Sequence, residues 1–376
     1  MQTTQIRWTR GSHWSDSADS FHDADLVLVF ADAEYFQTPD CYQDLKDRFP
    51  RARIAGCSSS GSVLGSIISD DDVVATAVRF ARGKVRLAIA HITESENIRS
   101  LATALMEQLN SDRSATGDLK HVLVFSDGLL VNGSELAAGL NAYGISVTGG
   151  LAGDGTRFGK TWVMADAPAR SGTVVAIGLY GDIAVKSGCF AGWQEFGAER
   201  KITKSIGNVV SEIDNQPALS LYKKYLGDLA IDLPGSGLRF PLSVSADKDQ
   251  KAVIRTLLAV DEAAQSLTFA GDMPQGYLCK LMKTNLDNLI ENAGQAASAA
   301  KPVQPDAAGL CLVVSCVGRR LVLGQLTEEE LEIVQENLGM QTTITGFYSY
   351  GELAPFSDVT QCQLHNQTMT LTTIYE

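Results

Sequence analysis

The sequence predicts a mixed α/β (α+β) protein, with an N-terminal domain built from two duplicated strand-helix-strand units and a C-terminal α/β domain. Three observations predict this class. Continuous apolar, β-branched runs such as residues 26–30 are typical of strands covered on both faces. A block of strands, helix and glycine loop recurs roughly 95 residues later, as internal repeats do. A strand-rich stretch, residues 347–376, closes the chain and has the composition of a buried segment.

Composition narrows the possible functions. A chain of 376 residues with 45% hydrophobic residues can form two or three domains. The formal charge of −13 argues against binding to nucleic acid or to an anionic membrane surface. The N-terminus lacks a signal-peptide pattern, and no segment approaches the roughly 20 apolar residues of a membrane span, so we expect a cytoplasmic protein. Seven cysteines without a CxxC pair favour free thiols.

The first unit is predicted at residues 24–92, after an N-terminal extension at 1–23. The apolar run 26–30 predicts a strand. Thr38-Pro39 supplies an N-cap and a first-turn proline for a short helix that Pro50 ends. Further strands are expected at 52–55, 73–80 and 85–91, and a glycine loop, GCSSSG, follows the second strand.

The second unit, at residues 120–191, repeats this order. Residues 121–128, HVLVFSDG, match residues 26–33, LVLVFADA, and the loop GGLAGDG at 149–155 falls opposite GCSSSG. Several matches in the same order predict two copies of one supersecondary unit. Together they define an N-terminal domain at 24–213.

The C-terminal domain is predicted at 214–376. Pro217 begins a helix, strands alternate through 252–282, and a helix follows from residue 284. The run 310–317 predicts a buried strand. A capping box at 327–330 opens a further helix, and residues 347–376 complete the domain.

The two glycine loops form a candidate ligand site. Successive amides in glycine-rich turns can create small concavities that hold an anion or a carboxylate. The alternative is that glycine merely permits a tight turn between packed strands. The candidate residues are Gly56, Cys57, Ser58, Gly61, Gly149, Gly150 and Gly153.

Cys57 is also a candidate nucleophile. Its thiolate would need stabilisation by amides or by a nearby cation. The second loop has Gly150 at the matching position, and a small packed cysteine is the simpler interpretation.

The last candidates lie in the C-terminal stretch. Glu352, in a turn beside Tyr350, could bind a ligand amine, or it could accept hydrogen bonds from amides of its own turn. His365 lies in a strand expected to be well packed, where a structural role competes with contact to a ligand or cofactor. Nothing in the sequence identifies a nucleophile or metal set to accompany them.

Residues 346–356, GFYSYGELAPF, with residues 362–372, CQLHNQTMTLT, resemble the C-terminal signature of the FIST family (F-box and intracellular signal transduction). Residues 54–65 and 149–155 are similar to the N-terminal FIST domain. The resemblance covers about residues 24–376.

The resemblance implies a sensory, ligand-binding protein rather than an enzyme. The chain resembles the stand-alone members of the family, which signal through a separate histidine kinase or cyclic-di-GMP enzyme. Some such members bind haem b and sense nitric oxide, so the resemblance implies haem as the most specific expectation, with His365 as the axial ligand to test. An amino-acid-like ligand is the alternative, with its carboxylate on the glycine loops and its amine on Glu352. A cysteine-dependent enzyme using Cys57 is the third.

Overall fold

The computed structural model describes residues 1–9, 14–15, 21–92, 97–111, 117–302, 309–356 and 361–376. Within these ranges, no helix is both long enough and apolar enough to cross a lipid bilayer. The α-helices are α1 (Asp40–Arg48), α2 (Ile98–Asn110), α3 (Gly133–Leu140), α4 (Ala218–Leu226), α5 (Leu286–Ala300), α6 (Val317–Leu323) and α7 (Thr327–Leu338). Short 3-10 helices occupy Ala33–Phe36, Asn141–Tyr143, Gly227–Asp232, Gly235–Arg239 and Gly324–Leu326.

The strands form several mixed sheets, which confirms the predicted fold class. In the first half they are β1 (Gln2–Thr9), β2 (Leu26–Ala31), β3 (Arg53–Ser58), β4 (Ser62–Leu64), β5 (Ile67–Ser69), β6 (Asp72–Arg79), β7 (Gly83–His91), β8 (Leu119–Ser126), β9 (Val147–Leu151), β10 (Val163–Ala165), β11 (Thr173–Gly181) and β12 (Ala184–Phe190). In the second half they are β13 (Gln194–Ile206), β14 (Val209–Ile213), β15 (Gln216–Pro217), β16 (Leu242–Ser245), β17 (Val253–Arg255), β18 (Leu257–Asp261), β19 (Ser266–Phe269), β20 (Leu278–Lys283), β21 (Gly309–Cys316), β22 (Thr342–Ser349), β23 (Gly351–Pro355), β24 (Cys362–His365) and β25 (Met369–Tyr375).

The predicted duplication is present and keeps its register. In the first unit, β2 lies between antiparallel β6 and parallel β3. In the second, β8 lies between antiparallel β11 and parallel β9. Val29 faces Gly56 in the first unit, and Val124 faces Gly149 in the second. The two copies therefore share strand order, strand direction and register.

A third copy of the unit, not predicted from the sequence, lies in the C-terminal half. Here β21 lies between antiparallel β25 and parallel β22, and Val313 faces Gly346. We call the three copies repeat 1 (β2, β3, β6), repeat 2 (β8, β9, β11) and repeat 3 (β21, β22, β25). The molecule is thus built on an internal pseudo-three-fold arrangement.

The repeats exchange strands in a cycle. The second strand of each repeat pairs with a short strand from another: β3 with β10, β9 with β23, and β22 with β4. One further strand extends each sheet on its other side: β1 pairs with β6, β7 with β11 and β12 with β25. The second strand of each repeat is therefore paired on both sides and is not an edge strand.

Three aromatic rings join the repeats at the centre. The ring centroids of Phe30 and Phe347 are 4.9 Å apart and stacked, and Phe125 meets both rings edge-on at 5.4 and 5.7 Å. All three side chains are buried. Their contact buries apolar area from every repeat at one point.

A further sheet, formed by β13 to β20 and called the inserted sheet here, stands between repeat 2 and repeat 3 in the chain. Its strand order is β17-β16-β20-β13-β14-β19-β18, with β15 beside β14. It packs with α4 around its own apolar core, which includes Ile202, Leu219 and Phe269. The boundary predicted between residues 213 and 214 falls between β14 and β15, which pair with each other.

Candidate ligand-binding cavity

A cavity of about 580 Å³ lies where repeat 2, repeat 3 and the inserted sheet meet. Repeat 2 contributes the loop 128–133, and repeat 3 contributes residues 316–318 at the start of α6. The inserted sheet contributes residues 256–258 and 269–272. This volume is within the range of pockets that enclose small organic molecules.

The lining of the cavity is mainly apolar. Among the described residues it contains no Lys, Arg or His side chain, and Asp272 is its single carboxylate. The apolar side chains are Leu129, Leu130, Val131, Leu151, Phe158, Pro234, Leu238, Leu257, Leu258, Phe269, Ala270, Val317, Leu321 and Leu364. Polar groups come from Asn132, Thr156, Asn208, Thr256, Asp272, Tyr350 and Asn366.

Asp127, at the end of β8, holds the loop 128–133 in place. Its carboxylate accepts hydrogen bonds from the amides of Leu129 and Leu130, each at 2.8 Å, and from Ser171 Oγ and the Gly172 amide, also at 2.8 Å. Asx side chains commonly close turns in this way. The loop therefore presents Leu129 and Leu130 to the cavity from a fixed base.

Asp272 is bound to the N-terminus of α3. Asn132 caps this helix by accepting from the amides of Ser134 and Glu135, and its Nδ2 donates to Asp272 Oδ1 at 3.0 Å. A carboxylate at this end of a helix is stabilised by the partial positive charge of the free amides. The contact joins the inserted sheet to repeat 2 at the cavity wall.

Tyr350 forms another wall with the loop after β9. Its hydroxyl donates to Asp154 Oδ1, while Asp154 Oδ2 accepts from the amides of Gly159 and Lys160 at 2.8 and 2.9 Å. Burial opposes ionisation of Asp154, but these hydrogen bonds outweigh it and lower the pKa of the carboxyl. The Phe158 ring stacks on Tyr350 with centroids 4.7 Å apart.

The cavity opens to solvent through an apolar mouth. Large apolar side chains in its lining are partly exposed, led by Leu130 at 62% and Phe158 at 48%. Leu258 and Leu321 are each 42% exposed. Exposed apolar side chains gathered around a concavity are a feature of binding sites.

Comparisons with known proteins identify the family. A model of the FIST N domain matches residues 25–216, and a model of the FIST C domain matches residues 218–355. The chain belongs to the FIST family. FIST domains imply a ligand-binding role in signal transduction.

Other comparisons add little for this FIST protein. No curated protein sequence matches it. A crystal structure of a chorismatase is similar over 100% of this chain and 98% of its own, with 8% identity and a TM-score of 0.37. At that level the similarity carries no argument about function.

Tyr350 is the one predicted site residue that belongs to the described lining of the cavity. The two glycine loops do meet, as expected, because the Gly153 amide donates to Ser58 O at 3.0 Å. Further amides of the first loop are also occupied: the Ser58 amide donates to Trp162 O, and the Gly61 amide donates to Ser59 Oγ within the same loop. Gly56, Gly149 and Gly150 lie within β3 and β9. The loops thus use their amides to join the repeats instead of forming an anion-binding concavity.

Cys57 lies in β3, fully buried in the apolar core. Burial raises the pKa of its thiol well above the usual value. A thiol that is both inaccessible and protonated does not attack a substrate. The structure therefore gives Cys57 a packing role.

Glu352 is fully buried and lies outside the cavity lining. It accepts hydrogen bonds from Ser349 Oγ at 2.6 Å, from Thr368 Oγ1 at 2.9 Å and from the Thr368 amide at 3.2 Å. Burial raises the pKa of its carboxyl to about 7, although these donors oppose the shift. Because its oxygens are occupied by the protein, Glu352 is not placed to receive a ligand amine.

His365 also lies outside the cavity lining, so it does not fit the role of haem axial ligand. Its ring is 1% exposed, with Nε2 3.0 Å from Ala354 O and the ring edge-on to Phe356 at 4.8 Å. Burial lowers its pKa to about 4, which keeps the imidazole neutral. The described ranges hold no group of three or more His, Cys, Asp or Glu side chains suited to a metal ion.

Several polar residues of the cavity wall were not predicted from the sequence. Asn366 follows His365 directly, and Asp154, which holds the Tyr350 hydroxyl behind the lining, belongs to the second glycine loop, so both lay inside stretches already singled out. Thr256 and Asp272 carried no sequence signal, since nothing indicated that the inserted sheet would cover repeat 2.

Proposed function

We propose that this FIST protein is a sensory protein whose small-molecule ligand binds in the cavity between repeat 2, repeat 3 and the inserted sheet. The position of the cavity carries the proposal. A ligand there contacts three separately built parts of the molecule, so it can favour one relative arrangement of these parts over another. Its apolar lining and open mouth suit a small organic molecule.

The signal passes to a separate partner protein in this proposal. A histidine kinase or a cyclic-di-GMP enzyme is the partner class proposed from the family resemblance. A change in the position of the inserted sheet would alter the surface offered to that partner. Ligand should then change the activity of the partner only when this protein is present.

We propose binding rather than catalysis as its activity. Cys57, the nucleophile considered from the sequence, is buried, and the pKa of its thiol is raised. Tyr350 is engaged by Asp154 and is likewise held protonated by burial, which raises the pKa of its phenol.

Haem b is the alternative ligand, proposed from the family resemblance and not from the geometry of His365. Cys316 and Tyr350 are the residues of the described lining whose side-chain types hold haem iron in other proteins. Haem would supply a site for nitric oxide. An absorption spectrum of protein expressed with haem supply separates the alternatives, because stoichiometric haem gives a Soret band that shifts with nitric oxide.

A cavity-filling variant tests the proposal. Gly235 lines the cavity, and a Cβ added there meets no atom within 4 Å, so Gly235→Leu should fold and reduce the free volume. Apolar compounds that raise the melting temperature of the natural protein should lose this effect in G235L. Ala263→Leu, in the exposed turn between β18 and β19, is the matched control. Equal effects in G235L and the natural protein would overturn the assignment of the cavity.

A further inference from the structure

We propose that the ligand carries a flat aromatic ring, and that Phe158, at the mouth of the cavity, is the platform on which this ring stacks. This inference rests on the proposed function, since it names the ligand class of the same cavity. It is carried by two independent observations on Phe158, the accessible surface of its ring and its unusual backbone conformation.

The Phe158 ring has a surface that a ligand can reach. Phe158 belongs to the cavity lining, and 48% of its surface is exposed. Tyr350 covers one face of the ring, with the two ring planes 15° apart. Within the described ranges, no other aromatic ring and no cationic side chain stacks on Phe158. An exposed fraction of this size is expected for a ring that is covered on one face and open on the other.

The backbone of Phe158 has a conformation that phenylalanine rarely adopts. Its φ of 48° lies in the left-handed region, which is costly for a bulky side chain. Strained residues of this kind cluster at ligand-binding positions, and stability alone would favour glycine here. Phe158 is the one aromatic residue among the described non-glycine residues with a positive φ, the others being Asp166, Asp214, Asn215, Gln265 and Gln367.

The residues on both sides of Phe158 are held in place. The Gly159 amide donates to Asp154 Oδ2 at 2.8 Å. Arg157 forms an ion pair with Asp32, which follows β2 of repeat 1. Since these contacts order the platform before a ligand arrives, less conformational entropy is lost on binding.

An aromatic platform and a merely apolar cavity predict opposite preferences. A saturated ring has more apolar surface than an aromatic ring with the same number of carbon atoms, so burial of area alone favours the saturated compound. Stacking of aromatic rings contributes to binding beyond the area that is buried. Tighter binding of the aromatic compound therefore identifies the platform.

Two pairs of alcohols test this preference by isothermal calorimetry on the full chain. They are 2-phenylethanol with 2-cyclohexylethanol, and 3-phenylpropan-1-ol with 3-cyclohexylpropan-1-ol, and the members of each pair share the same hydroxyl group. The aromatic member should bind roughly two- to tenfold more tightly. Equal binding, or tighter binding of the saturated members, would overturn the inference.

Phe158→Leu separates stacking from apolar contact. Leucine keeps an apolar side chain at the mouth but has no ring, so all four alcohols should still bind while the aromatic preference disappears. Phe158→Trp should keep the preference. Phe196→Leu is the matched control, because Phe196 is 40% exposed and lies outside the cavity lining. An aromatic preference that survives in F158L would overturn the role of Phe158.

A comparison of Phe158→Gly with Phe158→Ala tests the backbone strain. Both variants lack the ring, but glycine adopts a φ of 48° without strain and alanine does not. F158G should therefore melt about 2 to 4 °C above F158A. The reverse order would contradict the strain on which the inference rests.

The outcomes distinguish this inference from the function on which it rests. If the members of each pair bind equally and G235L abolishes the binding of both, the cavity is a ligand site and the aromatic inference is wrong. If none of the four alcohols binds the natural protein, the inference is wrong. If the alcohols bind equally well to G235L, the assignment of the cavity itself is wrong.

Discussion

At the scale of single residues, Glu352 and His365 form an unusual pair. They face each other across β23 and β24, and burial moves their pKa values in opposite directions. The pKa of Glu352 is raised to about 7, and that of His365 is lowered to about 4. Both groups are therefore favoured in their neutral forms, and their effects on stability oppose each other across mildly acidic pH.

The sign of each effect follows from proton linkage. Between about pH 4.5 and 7, folded Glu352 holds a proton that the unfolded chain has released, so this group lowers stability as pH rises. Between about pH 4 and 6.5, unfolded His365 holds a proton that the folded protein lacks, so this group increases stability as pH rises.

Glu352→Gln should expose the histidine contribution. Between pH 4.5 and 7, the free energy of unfolding of E352Q should rise more steeply with pH than that of the natural protein. The change in unfolding free energy over this range should differ between the two proteins by on the order of 3 kcal/mol. Urea unfolding at a series of pH values measures this. Glu336→Gln, at an exposed position of α7, should give a curve parallel to that of the natural protein. Parallel curves for E352Q would contradict the raised pKa.

Tyr350→Phe should destabilise the cavity wall. The variant removes the hydrogen-bond donor to Asp154, and bonds to a charged acceptor contribute about 1.5 to 3 kcal/mol. The ring stacking on Phe158 is retained. Tyr375→Phe is the control, since the hydroxyl of Tyr375 makes no hydrogen bond within the described residues. Equal, small losses of unfolding free energy in the two variants would refute the role given to the Tyr350 hydroxyl.

At the scale of elements, one glycine recurs in the second strand of every repeat. A Cβ at Gly56, Gly149 or Gly346 would lie 1.8 to 1.9 Å from the carbonyl oxygen of the valine on the neighbouring parallel strand. Since that atom is backbone, it cannot move aside. This close approach is a common constraint of the three repeats and explains why each keeps glycine there.

Gly149→Ala should therefore prevent folding or cost at least about 3 kcal/mol. Gly65→Ala should cost only about 1 to 2 kcal/mol, because Gly65 has a positive φ of 62° but open space around the added Cβ. Thermal unfolding of both variants makes the comparison. If G149A were as stable as G65A, the close approach would not be a constraint.

The sequence predicted the first two repeats because their apolar runs and following aspartates match residue for residue. Repeat 3 was missed for physical reasons. Its first strand ends in Cys316 where the others have Asp32 and Asp127, and the inserted sheet separates it from repeat 2. The pattern ITG at 344–346, beside IAG at 54–56 and VTG at 147–149, was the available signal.

The predicted capping box at Thr327 was also wrong in detail. The structure runs a 3-10 turn directly into α7, and its N-cap residue, Leu326, makes no side-chain cap. Thr327 Oγ1 instead donates back to Gly324 O. The helix was predicted correctly from its apolar pattern, but its first residues are determined by the 3-10 turn that precedes it.

At the scale of the whole molecule, the cavity follows from how the chain closes on itself. Strand exchange brings residues from distant segments together, including β23 on β9 and the inserted sheet against α3. No local pattern encodes such a meeting, because the lining residues come from segments far apart in the chain, such as 128–133, 256–258 and 316–318. Fold class and family were predictable from strings of adjacent residues, and the site was not.

The same architecture makes a prediction about signalling. The inserted sheet has its own apolar core, and the repeats are joined by shared sheets and by Phe30, Phe125 and Phe347. A ligand in the cavity would contact both parts, since Thr256 lines it on one side and Val317 on the other. In the proposed function, we therefore expect binding to change the position of the inserted sheet relative to the repeats.

Hydrogen exchange with and without an apolar compound that raises the melting temperature of the natural protein but not that of G235L, at a saturating concentration, tests the central claim most directly. Ligand should slow exchange in the segments 128–133, 256–258, 269–272 and 316–318, which belong to three different parts of the fold. The polar groove of the inserted sheet, which contains Glu195, Ser243 and Lys280, should not change. Protection confined to that groove, or no protection in the four cavity segments, would contradict the account.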